Sequence, residues 1–83
     1  MKAIIKNYEN GETLGEIEVR KNSKMSTIAD KVCEYLQKEY NCTIRKRLIQ
    51  GQIDFATKTQ KIHYVLFGEN TPCTKINIEL EEN

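Results

Sequence analysis

In the stretch GEIEVR, Ile17 and Val19 alternate with Glu16, Glu18 and Arg20, the period of a strand with one wet face. Upstream, MKAIIKNY puts Met1, Ala3 and Ile5 on one side and Lys2, Ile4 and Lys6 on the other. The two runs flank ENGET, where Asn10-Gly11 signals a turn with positive φ, so residues 1–20 predict a hairpin. After KNSK the period becomes helical. Ile28, Ala29, Val32, Cys33, Leu36 and Tyr40 fall within an arc of roughly 140° at about 100° per residue, with Lys31, Glu34, Gln37 and Lys38 opposite. Thr27 with Asp30 fits a capping box that would start the helix there, and Asn41 can stop it in a left-handed conformation. A hinge this short predicts a helix lying back over its own hairpin, with both apolar faces buried in one contact.

The downstream half is extended, but its parity slips. In CTIRKRLIQGQIDF, Ile44 and Leu48 occupy even positions while Ile53 and Phe55 occupy odd ones. Gly51 is the expected place of the change, through a bulge in one long strand or a tight turn between two short ones. ATKT, from Ala56 to Thr59, predicts another hairpin connection. QKIHYVLF is apolar on both faces, with Ile62, Tyr64 and Leu66 against Val65 and Phe67, as for a strand in the sheet interior. Residues 68 to 72 form a loop, and KINIELE alternates with Ile76, Ile78 and Leu80 inward. The expected architecture is α+β in the order ββαβββ, one helix on one face of a mixed sheet of four or five strands.

MKAIIKNYENGETLGEIEV followed by TIADKVCEYL, with RLIQGQ after it, resembles the first half of ubiquitin and its β-grasp relatives over roughly residues 1–53. DFATKTQKIHYVLF is more similar to the last hairpin of the immunoglobulin-binding domains of protein G, another β-grasp. The resemblance implies a β-grasp fold and a role in binding proteins. The chain ends in Glu81-Glu82-Asn83 rather than the diglycine of conjugated modifiers, which points away from conjugation and toward non-conjugated ubiquitin-like proteins such as the small component of type VII secretion systems.

Length and composition narrow the class. With 83 residues the chain makes one domain, of a size at which folding buries about 60% of the unfolded surface. Hydrophobic residues at 39% and charged residues at 30% fit an ordered globular chain. No apolar run is long enough for a membrane span or a signal peptide, so a cytoplasmic protein is expected. Cys33, Cys42 and Cys73 are odd in number and lack a CxxC spacing, so reduced thiols are expected. The abundance of Lys, Ile, Asn and Glu matches AT-rich coding DNA of bacteria or their phages.

Catalytic chemistry finds little support. The one histidine, His63, lies in an apolar strand and fits a packed or edge residue better than a member of a Cys/His pair. Three cysteines with His63 would complete a zinc set, but the spacing does not match a zinc knuckle, so no metal and no cofactor are expected. The four glycines are isolated turn residues rather than a phosphate loop, and no enzyme is expected.

Charge is more informative. Residues 1–41 carry seven basic and seven acidic groups, residues 43–67 five and one, residues 68–83 one and four, so a net charge of +1 hides a basic segment followed by an acidic one. Strand alternation in IRKRL puts Arg45 and Arg47 on one side, about 7 Å apart, and Lys46 on the other, an arrangement suited to phosphate or carboxylate. The plain alternative pairs these arginines with Glu79 and Glu81 on a neighbouring strand. Ile4, Ile49, Val65 and Phe67 are expected opposite the helix, where they form an apolar patch rimmed by charge. The uncovered face serves a partner, joins two copies, or curls closed. The expected function is a small non-catalytic intracellular interaction module, an adaptor or inhibitor of a larger protein complex, including a phage-encoded inhibitor of host defence of the anti-CRISPR type. Its expected partner-binding residues are Ile4, Arg45, Lys46, Arg47, Ile49, Val65 and Phe67. The alternatives are a nucleic-acid-binding protein using residues 45–47 and a ubiquitin-like secretion component.

Overall fold

The structure is a computed structural model that describes residues 1–54, 56 and 59–82, with the side chains of 52–54 and 59–62 left aside. Its elements are β1 (Lys2–Asn7), β2 (Thr13–Glu18), α1 (Met25–Glu39), β3 (Thr43–Asp54), β4 (Thr59–Glu69) and β5 (Lys75–Glu81). They give the α+β architecture and the ββαβββ order. The strands form one sheet in the order β2-β1-β5-β4-β3. Every neighbouring pair is antiparallel, so the expected mixed sheet is corrected to an open antiparallel one. The reason lies in the connections: β1–β2, β3–β4 and β4–β5 are all short returns, and the last strand runs down beside β1. Because β2 and β3 occupy opposite edges, α1 has to cross the width of the sheet.

The first hairpin closes as its sequence predicts. Gly11 has φ 74° and donates its N–H to the Asn7 carbonyl at 2.8 Å, while the Asn10 side chain accepts from the Glu12 N–H at 2.9 Å. α1 begins at Met25, two residues before Thr27, and its N-cap, Lys24, supplies no side-chain bond. The Thr27–Asp30 capping box does not form because Thr27 lies within the first turn, whose Ile28 N–H already donates to the Lys24 carbonyl at 3.0 Å, and the Asp30 carboxylate pairs with Arg47 on β3 instead. The helix stops where expected, with Tyr40 as C-cap and Asn41 at φ 51°.

The core lies between α1 and one face of the sheet. Ile28, Ala29, Val32, Cys33 and Leu36 of the helix meet Ala3 and Ile5 of β1, Tyr64 and Leu66 of β4, and Ile76 of β5. Ile5, Ile28, Val32, Leu36 and Ile76 are almost completely enclosed, each stabilising the fold by about 1.5–3 kcal/mol relative to exposure. Two residues expected inside reach the rim: Leu80 is exposed, and Tyr40 is exposed with its hydroxyl donating to the Leu14 carbonyl at 2.7 Å.

β3 is one strand that runs through Gly51, which pairs in regular register with Ile62. Its irregularity is between Ile44 and Lys46, where Arg45 is the extra residue. Gly68 faces that bulge, and a Cβ there would sit 1.7 Å from the Thr43 carbonyl oxygen, so β3 and β4 approach more closely than any side chain permits. The predicted connection at 56–59 is corrected at its end, because Thr59 opens β4 opposite Asp54; residues 57 and 58, Phe55, and the side chains of Ile53 and Ile62 lie outside the described residues.

Candidate protein-interaction surface

The bulge at Arg45 decides which way each side chain of β3 faces. Ile44 turns toward the helix and packs against the core. Past the extra residue the inward positions become odd: Arg47 pairs across with buried Leu66 and Ile49 with buried Tyr64. Lys46 and Leu48 therefore face away from the helix, opposite Phe67 and Val65. Two expectations are corrected here. Arg45 and Arg47 do not share a face, because the slip falls at residue 45. Ile49 is on the helix side, not on the open face.

Neither arginine meets Glu79 or Glu81. β5, which carries both glutamates, neighbours β1 and β4 rather than β3, and Glu79 pairs with Lys6 at 3.1 Å. Arg45 instead donates to Glu69 at 2.6 Å, with both side chains well exposed. Arg47 reaches back to the helix, where its guanidinium donates to the Asp30 carboxylate at 2.6 Å and to the Ser26 carbonyl at 3.2 Å. Partial burial opposes the charge on Arg47, but the Asp30 bond outweighs it and holds the guanidinium above its ordinary range. Among the described residues, Lys46 has no ion-pair partner.

On the open face, Leu48 is 40% exposed and Phe67 46% exposed, with half-buried Val65 opposite Leu48. The three make one apolar patch, with Lys46 opposite Phe67 and the Arg45–Glu69 pair at its border. Leu48 is absent from the expected set because its even position matches Ile44; only the parity slip within residues 44–49 signals its true face. Ile4 is also on this face but does not join the patch. It is half-buried between Glu16 and Glu79, whereas Val65 faces Lys75, four residues or about 13 Å along β5.

His63 also faces away from the helix, yet it is only 7% exposed because the Tyr8 ring stacks on it at 4.1 Å between centroids. Its Nε2 lies 3.2 Å from the Gln50 Oε1, and Nδ1 has no partner among the described residues. The expected packed histidine is thus a covered one, next to the patch but closed to it.

On the helix side, Ile49 is 62% exposed and lines a groove of about 250 Å³ with Met25, Ser26, Arg47 and Tyr64. The cysteines are all free. Burial pushes the Cys33 thiol up, with Arg47 partly countering it, and burial does the same to Cys73. No group of three metal-ligating side chains occurs among the described residues, and no helix among them is long and apolar enough to cross a membrane. Comparison with family models, with curated proteins and with solved structures gives no match to this chain.

Proposed function

We propose that the chain is a non-catalytic interaction module, an adaptor or inhibitor of a larger protein or protein complex, that docks through the helix-free face of β3 and β4. The observation that carries this is the pair of large side chains, Leu48 and Phe67, exposed side by side across Val65 with cations at the border. Covering the part of each side chain that is still exposed, under half of it, is worth about 1 kcal/mol by area, and two adjacent anchors of this kind give a complex a centre once the surrounding rim excludes water. Lys46 and Arg45 act at the edge of this contact, where charge sets the rate of encounter more than the lifetime. The site is proposed to work inside a bacterial cell, or in the host cytoplasm if the protein is phage-borne. Membership among ubiquitin-like β-grasp proteins is not needed for any of this.

Nucleic-acid binding is the weaker reading. Its three cations are split by the bulge, and Arg45 and Arg47 already hold carboxylates, so few are left to neutralise phosphates. Pairing of two copies through the open face is the other competitor. The test is capture from the native host with identification of the retained protein, followed by reconstitution from purified components. Leu48→Asp with Phe67→Asp should abolish the complex while leaving the melting temperature near that of the unchanged protein. Undiminished binding by that double variant overturns the proposal, as does retention of nucleic acid alone or a stable dimer in sedimentation.

A further inference from the structure

We propose that the free edge of β3 takes up an extended segment of the partner as an added strand, and that the segment carries two apolar residues followed by two acidic ones. This rests on the protein-binding reading above and names how the partner is held.

The backbone supplies the first reason. The Leu66 N–H donates to the Thr74 carbonyl at 2.8 Å, so Leu66 turns its hydrogen-bonding groups toward β5. In an antiparallel ladder the direction alternates, so Val65 and Phe67 turn theirs toward Leu48 and Lys46 on β3. Arg47, Ile49 and Gly51 then direct N–H and C=O outward, along an edge beside which the sheet order places no strand. The start of this edge is closed, because the Ile44 N–H donates to the Gln37 side chain at 3.0 Å and Arg45 is bulged. What stays open is the run from Arg47 to Gly51.

The side chains supply the second. Leu48 and Ile49 are neighbours on opposite faces, and both are exposed, at 40% and 62%. A body docked on the open face covers Leu48 and leaves Ile49 in water. A strand laid along β3 covers both, since its residues opposite these two lie on the matching faces. The residue opposite Ile49 also enters the groove bordered by Met25, Ser26, Arg47 and Tyr64.

Charge selects the occupant. Running antiparallel, the next two residues of the incoming strand stand opposite Arg47 on the helix side and Lys46 on the open side. Lys46 has no ion-pair partner among the described residues, and the Arg47 guanidinium has donors beyond those given to Asp30 and Ser26. Carboxylates fit both places. A second copy of this chain fits less well, because two joined β3 edges would bring two Arg45-Lys46-Arg47 sets to one seam while Glu69 and Asp30 are already paired.

The probe is a fluorescein-labelled peptide, TTLVEETT, titrated in anisotropy against the full chain, with TTLVKKTT as its control. Saturable binding of the glutamate peptide, at least about tenfold tighter than the lysine peptide, is expected. Lys46→Glu should remove most of that preference, leaving the part that Arg47 supplies, and binding should slow amide exchange at Arg47, Ile49 and Gly51. Equal binding of the two peptides, no binding of either, or slowed exchange elsewhere overturns strand addition. A partner that still depends on Leu48 and Phe67 while the peptides fail leaves the docking reading intact and sinks only this one. Loss of the partner's dependence on those two residues, with peptide binding retained, does the reverse.

Discussion

Leu36 shows how much a single side chain carries in a domain this small. It is fully enclosed between α1 and the sheet, and Leu36→Ala should lower the unfolding free energy by about 2–5 kcal/mol, against the roughly 5–15 kcal/mol typical of whole domains. Urea denaturation measures this directly, and a loss under about 0.5 kcal/mol would mean that the helix face is wrongly placed. Gly68 is constrained for a different reason. The atom that an added methyl would strike is a backbone oxygen, which cannot swing aside as a side-chain end can. Gly68→Ala should cost about 1–3 kcal/mol by forcing β3 and β4 apart beside the bulge, read as a lower urea midpoint. The thiols set the response to alkali. Burial raises Cys33 and Cys73 in the fold, so the unfolded chain loses its thiol protons first, near the ordinary value of about 8.5. The thiols' contribution to stability should therefore be constant below that pH and be lost as the pH rises through the interval up to the raised folded values. Tyr35 and Tyr64, also raised by burial, act in the same direction at still higher pH. Urea midpoints measured from about pH 7 to about pH 10 would show the decline, and a rise over that range would contradict it.

At the scale of elements, local patterns were readable wherever one face met the core and the other met water. The helix face and the alternation of β5 follow from period alone, and the first hairpin from period together with the Asn10-Gly11 turn. β3 was not readable in the same way. Its bulge has no glycine of its own; the glycine that permits it, Gly68, is on the opposite strand, and sequence does not reveal which residue of β4 faces residue 45. That one displacement moved Ile49 to the helix side and Leu48 to the open face, and so altered the membership of the site while leaving Val65 and Phe67 in place. The helix start was hidden because its N-cap, Lys24, carries no capping side chain, so the Thr27–Asp30 signal pointed two residues too late; Asp30 answers to Arg47 across the fold. The resulting pair ties α1 to β3. With Asp30 largely exposed, Asp30→Asn should cost only about 0.5–1 kcal/mol, and the cost should shrink as salt is raised from about 0.01 M to about 1 M. Thermal melts at the two salt concentrations would show it; a salt-independent effect would mean the carboxylate acts by packing rather than by charge.

For the whole molecule, sheet order was the least legible feature. Turn chemistry specifies neighbours in sequence, whereas the β1–β5 contact joins the two ends of the chain, and nothing local specifies its direction. That order places β3 at an edge, and the one helix, packed on one side of the sheet, leaves the other face without a helix among the described residues. The basic segment loses weight at this scale too, because carboxylates from β4 and α1 answer two of its three cations. At about 150 mM salt, oligonucleotide binding should be weaker than micromolar, and changing Arg45, Lys46 and Arg47 together to Gln should mainly slow association with a protein partner. Micromolar oligonucleotide binding lost in that triple variant would reverse the assignment. The central claim, that a protein partner sits on the helix-free face beside β3, is tested most directly by backbone amide chemical shifts recorded with and without the captured partner. The largest changes should run from Lys46 to Gln50 and through Val65 and Phe67, while Lys31, Glu34 and Lys38 on the outer side of α1 stay unmoved. Changes centred on those helix residues, or along β2, would contradict it.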